Sequence, residues 1–589
     1  MKRKFLIVLL AIVSVFCLAF GLAACSSMGS EGGGNGDGEG SGDGDKTPAA
    51  ETISTAEQLM ELAGSNKSVK LANNLDLSSY SNWTPIDNFS GTLDGDGHTI
   101  TGMRMSGSNG NFGLFGTLKG TVKNLSIDGV IITVTGTTGA VGGLCGTNKG
   151  SIENITVDGM ITANLMTNVG GIIGSSDNFN IKNCTNKANV TGFNRVGGIA
   201  GIATTKVAND SSLIEGNKNY GAITGIDTDE DSYIGGLFGR MVISPGAYKS
   251  EGDWTYTVLD FENYGDVQGD GGKVGGIIGY YATSRWGGGS TYVRLSIKNC
   301  KNEGDVSGKQ RFIGGIIGSN DRLNQVLMCS NSGDVTGNSN YVGGIGGDTS
   351  AYSVQSCTNS GAVTGKAYIG GIAGYATCTI TNSSNSGTIT AQGKYSSSSS
   401  LGDLTNVTLV GGIVGLTTEQ VKSSENTGNI FSTGGGSCVG GIAGAMRTHV
   451  GTVVEGLVNR GKITITGGGS NVGGIAGYVY GLRNTTQSGD YTFTGENYGD
   501  IEAHSANGVG GILGHTYSQN DWSYSQRTYA VIINCINEGN IYGNSKVGAI
   551  LGNSEYYRGD DFYWTTNTNS GSLYTNNGTE RIEDSRLHN

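Results

Sequence analysis

Trp254, Tyr256, Tyr280, Tyr281, Trp286, Tyr292, Tyr517, Trp522, Tyr524 and Trp564 are the residues best suited to meet a partner. Indole and phenol rings offer broad flat faces that stack on sugars and anchor proteins at low entropic cost. These rings gather in stretches that follow copies of one hexapeptide. In the competing reading, the same stretches fold back as hairpins whose rings pack on the protein's own flank.

Other reactive side chains point to less. Asp227-Thr-Asp-Glu-Asp231 has the alternating carboxylates of a calcium loop. It lacks the Gly at the sixth position and the Glu at the twelfth, where Ser232 and Phe238 stand, so a solvated loop is expected. Asp94-Gly-Asp-Gly-His98 reads as turn chemistry. The five His residues form no His-Glu-x-x-His pair, and the cysteines lack zinc spacing, so neither a metal nor any other cofactor is expected. Cys184, Cys300, Cys329, Cys357 and Cys535 each stand two residues before a recurring Asn, which places them in one column and favours buried thiols, with disulfides between neighbouring coils such as Cys300 to Cys329 the alternative. Acids such as Asp305 and Asp334 recur at equivalent repeat positions and read as surface decoration. A β-helical hydrolase or lyase would need paired carboxylates, or Asp with Lys or Arg, on one strand face. A net charge of −12 with no basic stripe disfavours nucleic acid.

The elements that position these groups come from repetition. Val274-Gly-Gly-Ile-Ile-Gly279 and Val439-Gly-Gly-Ile-Ala-Gly444 are two of thirteen copies, starting at 141, 169, 196, 234, 274, 313, 342, 369, 410, 439, 472, 509 and 547. Asn111-Phe-Gly-Leu-Phe-Gly116 reads as a degenerate earlier copy. A second motif, Asn-x-Gly-x-(Val/Ile), travels with the first, as in Asn302-Glu-Gly-Asp-Val306 and Asn537-Glu-Gly-Asn-Ile541. Between them lie pieces such as Ile297-Lys-Asn-Cys300. Three β-prone runs per unit, no helical periodicity and a base period of 27 to 29 residues predict a solenoid, with one coil of parallel β-helix per unit. Thirteen or fourteen coils stacked at about 4.8 Å give a rod on the order of 65 Å long. If Val of the second motif faces inward, so does Asn, and successive Asn amides should bond along the stack. Val and Ile of the hexapeptide lie three apart, so the Gly-Gly pair must bend the chain for both to face inward.

Loop lengths vary mainly after the hexapeptide. The step to the next motif Asn grows from 8 in the first two coils to 24 between Gly239 and Asn263 and 23 between Gly514 and Asn537. Insertions at one corner of a solenoid emerge on one side, commonly the binding side. A separate insertion, Gln392 to Thr408, carries a Ser run and no Trp.

Leu71-Ala-Asn-Asn-Leu-Asp-Leu77, Trp83-Thr-Pro-Ile86 and Phe89-Ser-Gly-Thr-Leu-Asp-Gly-Asp-Gly-His-Thr-Ile100, together with the hexapeptides, resemble the GLUG-motif surface proteins of bacteria. These include the non-catalytic β-helix region of IgA1-specific metallopeptidases. The resemblance spans residues 51 to about 575 and implies a right-handed parallel β-helix at the cell surface, often in adhesins. It carries no catalytic assignment.

The amino terminus gives an address. Lys2, Arg3 and Lys4 precede an apolar run from Phe5 to Phe20 and Leu22-Ala-Ala-Cys25, resembling a bacterial lipoprotein signal, cleaved before Cys25 with lipid added there. An uncleaved transmembrane helix is the alternative. Residues 25–50 form a Gly/Ser/Asp tether with a reach of about 25–30 Å. Residues 51–110 hold a cap and first coils, with a capping box at Ser54-x-x-Glu57 opening a helix over Ser54 to Ala63. The GLUG-repeat β-helix follows over 111–575 and a polar tail over 576–589. Taken together, the sequence predicts a lipid-anchored protein on the extracellular face of a bacterial envelope. It would use aromatic loops to bind a host or neighbouring-cell glycan or protein without turnover. A polysaccharide lyase or glycoside hydrolase and an inert spacer are the alternatives.

Overall fold

A computed structural model describes residues 51–582 except 208–212, 246–253, 284–292, 394–406, 435–436, 450–452, 483–490, 519–529, 557–561, 576 and 578. One coil illustrates the whole. Val267–Gly269 and the later Lys301–Asn302 belong to a 34-stranded sheet 1, and Lys273–Gly275 to a 14-stranded sheet 2. Ile278–Thr283 belongs to a 14-stranded sheet 3, and Val293–Lys298 to a seven-stranded side sheet. A four-stranded side sheet takes over from Val453–Val454 onward. Every inter-coil pairing is parallel, with Val274 opposite Ile313 and Ile278 opposite Ile317 one coil on. The described residues therefore form a parallel β-helix in which sheets 2 and 3 run through fourteen coils, with sheet 1 continuing further at the N-terminal end.

The Gly-Gly pair makes the bend that the hexapeptide requires. Sheet 2 ends at Gly275 and sheet 3 starts at Ile278, so Val274, Ile277 and Ile278 all point into the core. The second Gly is fixed by the interior. A Cβ on Gly276 would stand 2.1 Å from the Gly315 carbonyl oxygen and 2.5 Å from the Asn302 side chain. This contact explains why the two motifs travel together, because the Asn amide occupies the space that the Gly leaves open.

The Asn ladder forms without a gap from Asn186 to Asn569. Each Nδ2 donates to the Oδ1 of the next Asn at 2.7–2.9 Å, as in Asn263 to Asn302 and Asn302 to Asn331. The other Nδ2 hydrogen goes to the carbonyl two residues on, as from Asn302 to Gly304 at 2.7 Å. The row is buried from Asn186 to Asn537 and half-buried at Asn569, with every described amide bonded, which satisfies groups that would otherwise be costly in the core.

Four details depart from the sequence expectation. The three expected runs resolve into five short pieces, because a left-handed residue such as Asn183, Asn299 or Met328 breaks the chain before the Cys column. Asn adopts this backbone more readily than most residues, which accounts for the recurring Lys-Asn-Cys. The earliest copy is one Gly short: Phe112 lies opposite Val141 and Phe115 opposite Cys145. The N-terminal helix is Ala56–Met60, capped by Thr55 rather than Ser54, with Gln58 closing the box. The Gln58 side chain accepts the backbone N–H of both Ser54 and Thr55, and the Thr55 hydroxyl accepts the Gln58 N–H, which sets the start one residue later. Within the polar tail, Glu580–Ile582 pairs antiparallel with Leu573–Thr575 and closes the last coil of sheet 1.

All eight described cysteines are buried free thiols. Asp305 and Asp334 each accept a backbone N–H from the next coil, at 2.9 and 2.8 Å, so these repeat acids tie coils together at the surface.

Candidate functional site

The segments inserted after the hexapeptide leave from one corner, between the end of a sheet 3 strand and the start of a side-sheet strand. They fall in two groups. Phe238–Pro245 leads to Trp254–Leu259 and Ile278–Thr283 to Val293–Lys298 in one; Ala476–Leu482 leads to Tyr491–Phe493 and Leu513–Ser518 to Ala530–Ile533 in the other. Between the groups the same corner is short, as from Ile317–Asn320 to Leu323–Leu327. The Ser-rich insertion leaves elsewhere, between Ile389–Ala391 and Val410–Gly411.

Two of the ten aromatic candidates are not surface residues. Tyr281 is fully buried and Tyr256 is 5% exposed, its ring edge-on to Phe179 at 5.7 Å. Both sit on strand extensions beside the insertions, where alternate residues face inward, and they occupy inward positions. Tyr280, next to Tyr281, faces out and is half-buried. Trp254, Tyr517 and Trp564 lie in the strands Trp254–Leu259, Leu513–Ser518 and Phe562–Thr565, with side chains outside the described set. Trp286, Tyr292, Trp522 and Tyr524 lie outside the described residues, as does the lipidation candidate Cys25.

A feature the motif reading missed lies on the outer side of the hexapeptide bend. A Cβ on Gly275 would meet the Ile278 carbonyl oxygen at 2.1 Å, and one on Gly279 would meet the Ile234 backbone at 2.6 Å. Strands of sheets 2 and 3 thus touch along a glycine-lined crease. The residue before Val and the residue after the last Gly flank it from either side. Tyr233 and Tyr280 stack there at 5.1 Å and 16°. Tyr341 stacks on Phe312 at 5.0 Å and on Tyr368 at 4.7 Å, and meets Tyr375 edge-on at 6.2 Å. The signal was available: Tyr233, Lys273, Phe312, Tyr341 and Tyr368 all immediately precede a hexapeptide. Their backbones resist it in part, since Phe312, Tyr341 and Tyr368 take φ of 70°, 65° and 55°, uncommon for aromatic residues. Among the described residues three exposed rings stand elsewhere: Phe431; Tyr352, 60% exposed with its ring centre 3.7 Å from the Arg294 guanidinium; and Tyr220, 48% exposed and stacked on Tyr264 at 4.6 Å.

The crease is also charged. Arg240 and Lys273 each lie 5.0 Å from the centre of the Tyr233 ring. Lys273 pairs with Asp231 at 2.9 Å, which holds that carboxyl below its ordinary value. The Tyr280 hydroxyl donates to Asp321; burial and that carboxylate raise its pKa. One coil further, burial pushes the Asp348 carboxyl up to about 7, with the Ser350 hydroxyl opposing and the Asp321 charge adding to the rise. The residue keeps a solvent-facing edge although its carboxyl lies deep. Two acidic residues of neighbouring coils, Asp321 and Asp348, therefore stand near stacked tyrosines.

The calcium-like loop behaves as turn chemistry. Asp227 and Asp229 each accept the backbone N–H two residues on, at 3.1 Å, and Asn194 donates to Asp227 at 2.5 Å. Among the described residues no His, Cys, Asp and Glu set is placed to hold a metal. Nor is any described helix long and apolar enough to cross a membrane. A recess lined by Asn183, Lys218, Asp260, Glu262 and Lys301 follows the left-handed corner, and its Lys218 and Glu262 already pair at 2.9 Å.

Comparison with known proteins bears on the repeats. The family model described as "The GLUG motif" matches residues 167–191 and 365–390. A protein of Evansella cellulosilytica described as "Putative Gly-rich membrane protein" is 36% identical over 104 residues, covering 16% of this chain. The match takes in 12% of that relative's length. A crystal structure described as "a putative immunoglobulin A1 protease from Bacteroides ovatus" is 17% identical, with a TM-score of 0.32, over 54% of this chain and 77% of that one. The GLUG resemblance read from the hexapeptides is thus met by repeat matches in two separate coils.

Proposed function

We propose that this β-helix is a surface protein, held to the bacterial envelope by lipid on Cys25, that binds a glycan or protein partner along its sheet 3 side without turning it over. The observation that carries this reading is the shared corner of the post-hexapeptide insertions. Those insertions border the sheet whose outer positions present Tyr280 and Tyr375. Parallel stacking repeats one corner along one line, so segments of unrelated length still serve one side. Half-buried tyrosines beside a glycine crease supply flat, pre-organised faces that sugars and protein anchors use. The membrane-protein name of the Evansella relative is in keeping with an envelope location.

The test is glycan-array and cell-adhesion binding by the intact protein. Trp254→Ala, Trp286→Ala and Trp522→Ala should together reduce binding, while the melting temperature holds. Undiminished binding by the folded triple variant would remove the aromatic flank from the reading. Cys25→Ala should release the protein from the membrane fraction.

The Asp321 and Asp348 arrangement favours a second reading, a polysaccharide-active enzyme. A carboxyl kept protonated up to about pH 7 by burial, with a second acidic residue on the adjacent coil, is the kind of pair that glycosidic cleavage uses. Release of reducing ends from a polysaccharide panel, abolished by Asp348→Asn, would establish it.

A further inference from the structure

Among the described residues, two arginines of the crease form no ion pair within 4 Å. Arg195 immediately precedes Val196, and Arg240 immediately follows Gly239 one coil on. Arg195 lies opposite Tyr233 in sheet 2, and Arg240 opposite Tyr280 in sheet 3, so the four side chains converge within two coil steps. Arg195 donates from Nη1 to the Asn168 Oδ1 at 3.1 Å. The Arg240 guanidinium lies 5.0 Å from the Tyr233 ring centre and 5.7 Å from that of Tyr280. The Nε atoms of both are covered and have no acceptor. Burial, then the nearby Arg240 charge, lower the pKa of Arg195.

The carboxylates at hand are taken. Asp231 pairs with Lys273 and Glu230 with Arg311. Asp227 and Asp229 spend oxygens on their own turn and on Asn194. Asp321 receives the Tyr280 hydroxyl and the Thr283 backbone N–H. In a chain of net charge −12 this leaves two mutually repelling guanidinium groups against stacked aromatic faces, with neither in a described ion pair and Arg240 only partly offset by the Asp231 charge. Such an arrangement is unfavourable until an anion completes it. A planar fork matches the paired oxygens of a carboxylate or sulfate, and a stacked tyrosine matches the face of a sugar ring.

Resting on the glycan-binding reading above, we infer that Arg195, Arg240, Tyr233 and Tyr280 form a subsite for an acidic sugar, whose carboxylate or sulfate meets the two guanidinium groups while its ring lies against Tyr280. Lys273 lies 5.0 and 5.2 Å from the Tyr233 and Tyr280 ring centres, and its charge is already paired with Asp231.

The experiment measures binding of the full chain to polygalacturonate, dextran sulfate and neutral dextran at two salt concentrations. At least one polyanion should bind about tenfold or more tightly than neutral dextran and weaken with salt. Polygalacturonate and dextran sulfate separate carboxylate from sulfate as the anionic group. Arg195→Gln with Arg240→Gln should bring polyanion binding down to the dextran level with an unchanged melting temperature. Arg240→Lys, which keeps the charge and loses the fork, should give an intermediate loss and guards against a double variant that fails to fold. Equal binding of neutral dextran, absence of polyanion binding, or full affinity in folded variants would overturn the inference. Neutral-glycan binding that still depends on Trp254, Trp286 and Trp522 would leave the broader reading standing while this one falls.

Discussion

The side-chain amide of Asn302 donates to the Oδ1 of Asn331 at 2.7 Å, inside a row of the same bond that runs from Asn186 to Asn569. Each interior Asn therefore serves two neighbours and its own turn. Asn331→Ala would strand the Asn302 donor and the Asn359 acceptor and open a gap beside Gly315. A loss of about 2–4 kcal/mol is expected from unsatisfied buried amides and a small cavity. The half-buried Asn569 at the end of the row serves one neighbour, so Asn569→Ala should cost clearly less. Chemical denaturation midpoints of the two variants check the difference.

Gly276 and Gly468 should respond oppositely to the same substitution. A Cβ on Gly276 would meet the Gly315 carbonyl oxygen at 2.1 Å and the Asn302 side chain at 2.5 Å, while one on Gly468 would meet nothing within 4 Å. Gly276→Ala should sharply lower the melting temperature or prevent folding, because backbone and a hydrogen-bonded amide would both have to move. Gly468→Ala should leave the melting temperature near that of the parent.

The buried thiols predict alkaline sensitivity. Burial pushes Cys184, Cys378, Cys438 and Cys535 up to about 12 from an ordinary value near 9.0. A folded-state pKa above the unfolded one means the folded chain holds its protons longer. Stability is then intact below about pH 9 and falls as pH rises toward 12, by at most about 4 kcal/mol per thiol. Melting temperature against pH should fall through that window, and replacing the four by Ala should flatten the curve. Alkylating reagents should leave the eight described thiols unlabelled in the native protein at pH 7.

Asp348 predicts a change at lower pH. Its carboxyl, raised from 3.8 to about 7 mainly by burial, is comfortable when protonated. Its contribution is complete below about pH 4 and declines as pH rises through 7. Asp348→Asn should match the parent near pH 4 and exceed it near pH 8, by about 1–2 kcal/mol once the solvent-facing edge is allowed for. Thermal melts at the two pH values provide the comparison.

The repeat unit was legible because its constraints are local. Glycines at fixed offsets from Val, Ile and Asn state where the backbone must bend and what it must pack against. That was enough for the coil, a stack of thirteen or fourteen units, the amide ladder and the cysteine column. The aromatic candidates were less legible: in a strand extension, inward and outward positions alternate, so one residue of register separates buried Tyr281 from outward Tyr280. Nothing in Gly279-Tyr-Tyr-Ala282 fixes that parity by itself.

Sequence alone thus determined that each unit winds once and which motif residues face the core, since these follow from backbone sterics within the unit. Only the tertiary structure decided which side chains of different coils meet. Arg195 and Arg240, Asp321 and Asp348, and Tyr341 with Tyr368 are distant along the chain and lie on neighbouring coils, the two tyrosines stacked at 4.7 Å. Those adjacencies depend on how insertions of unequal length are absorbed at the corners, and stacking, rather than the local sequence, settles that.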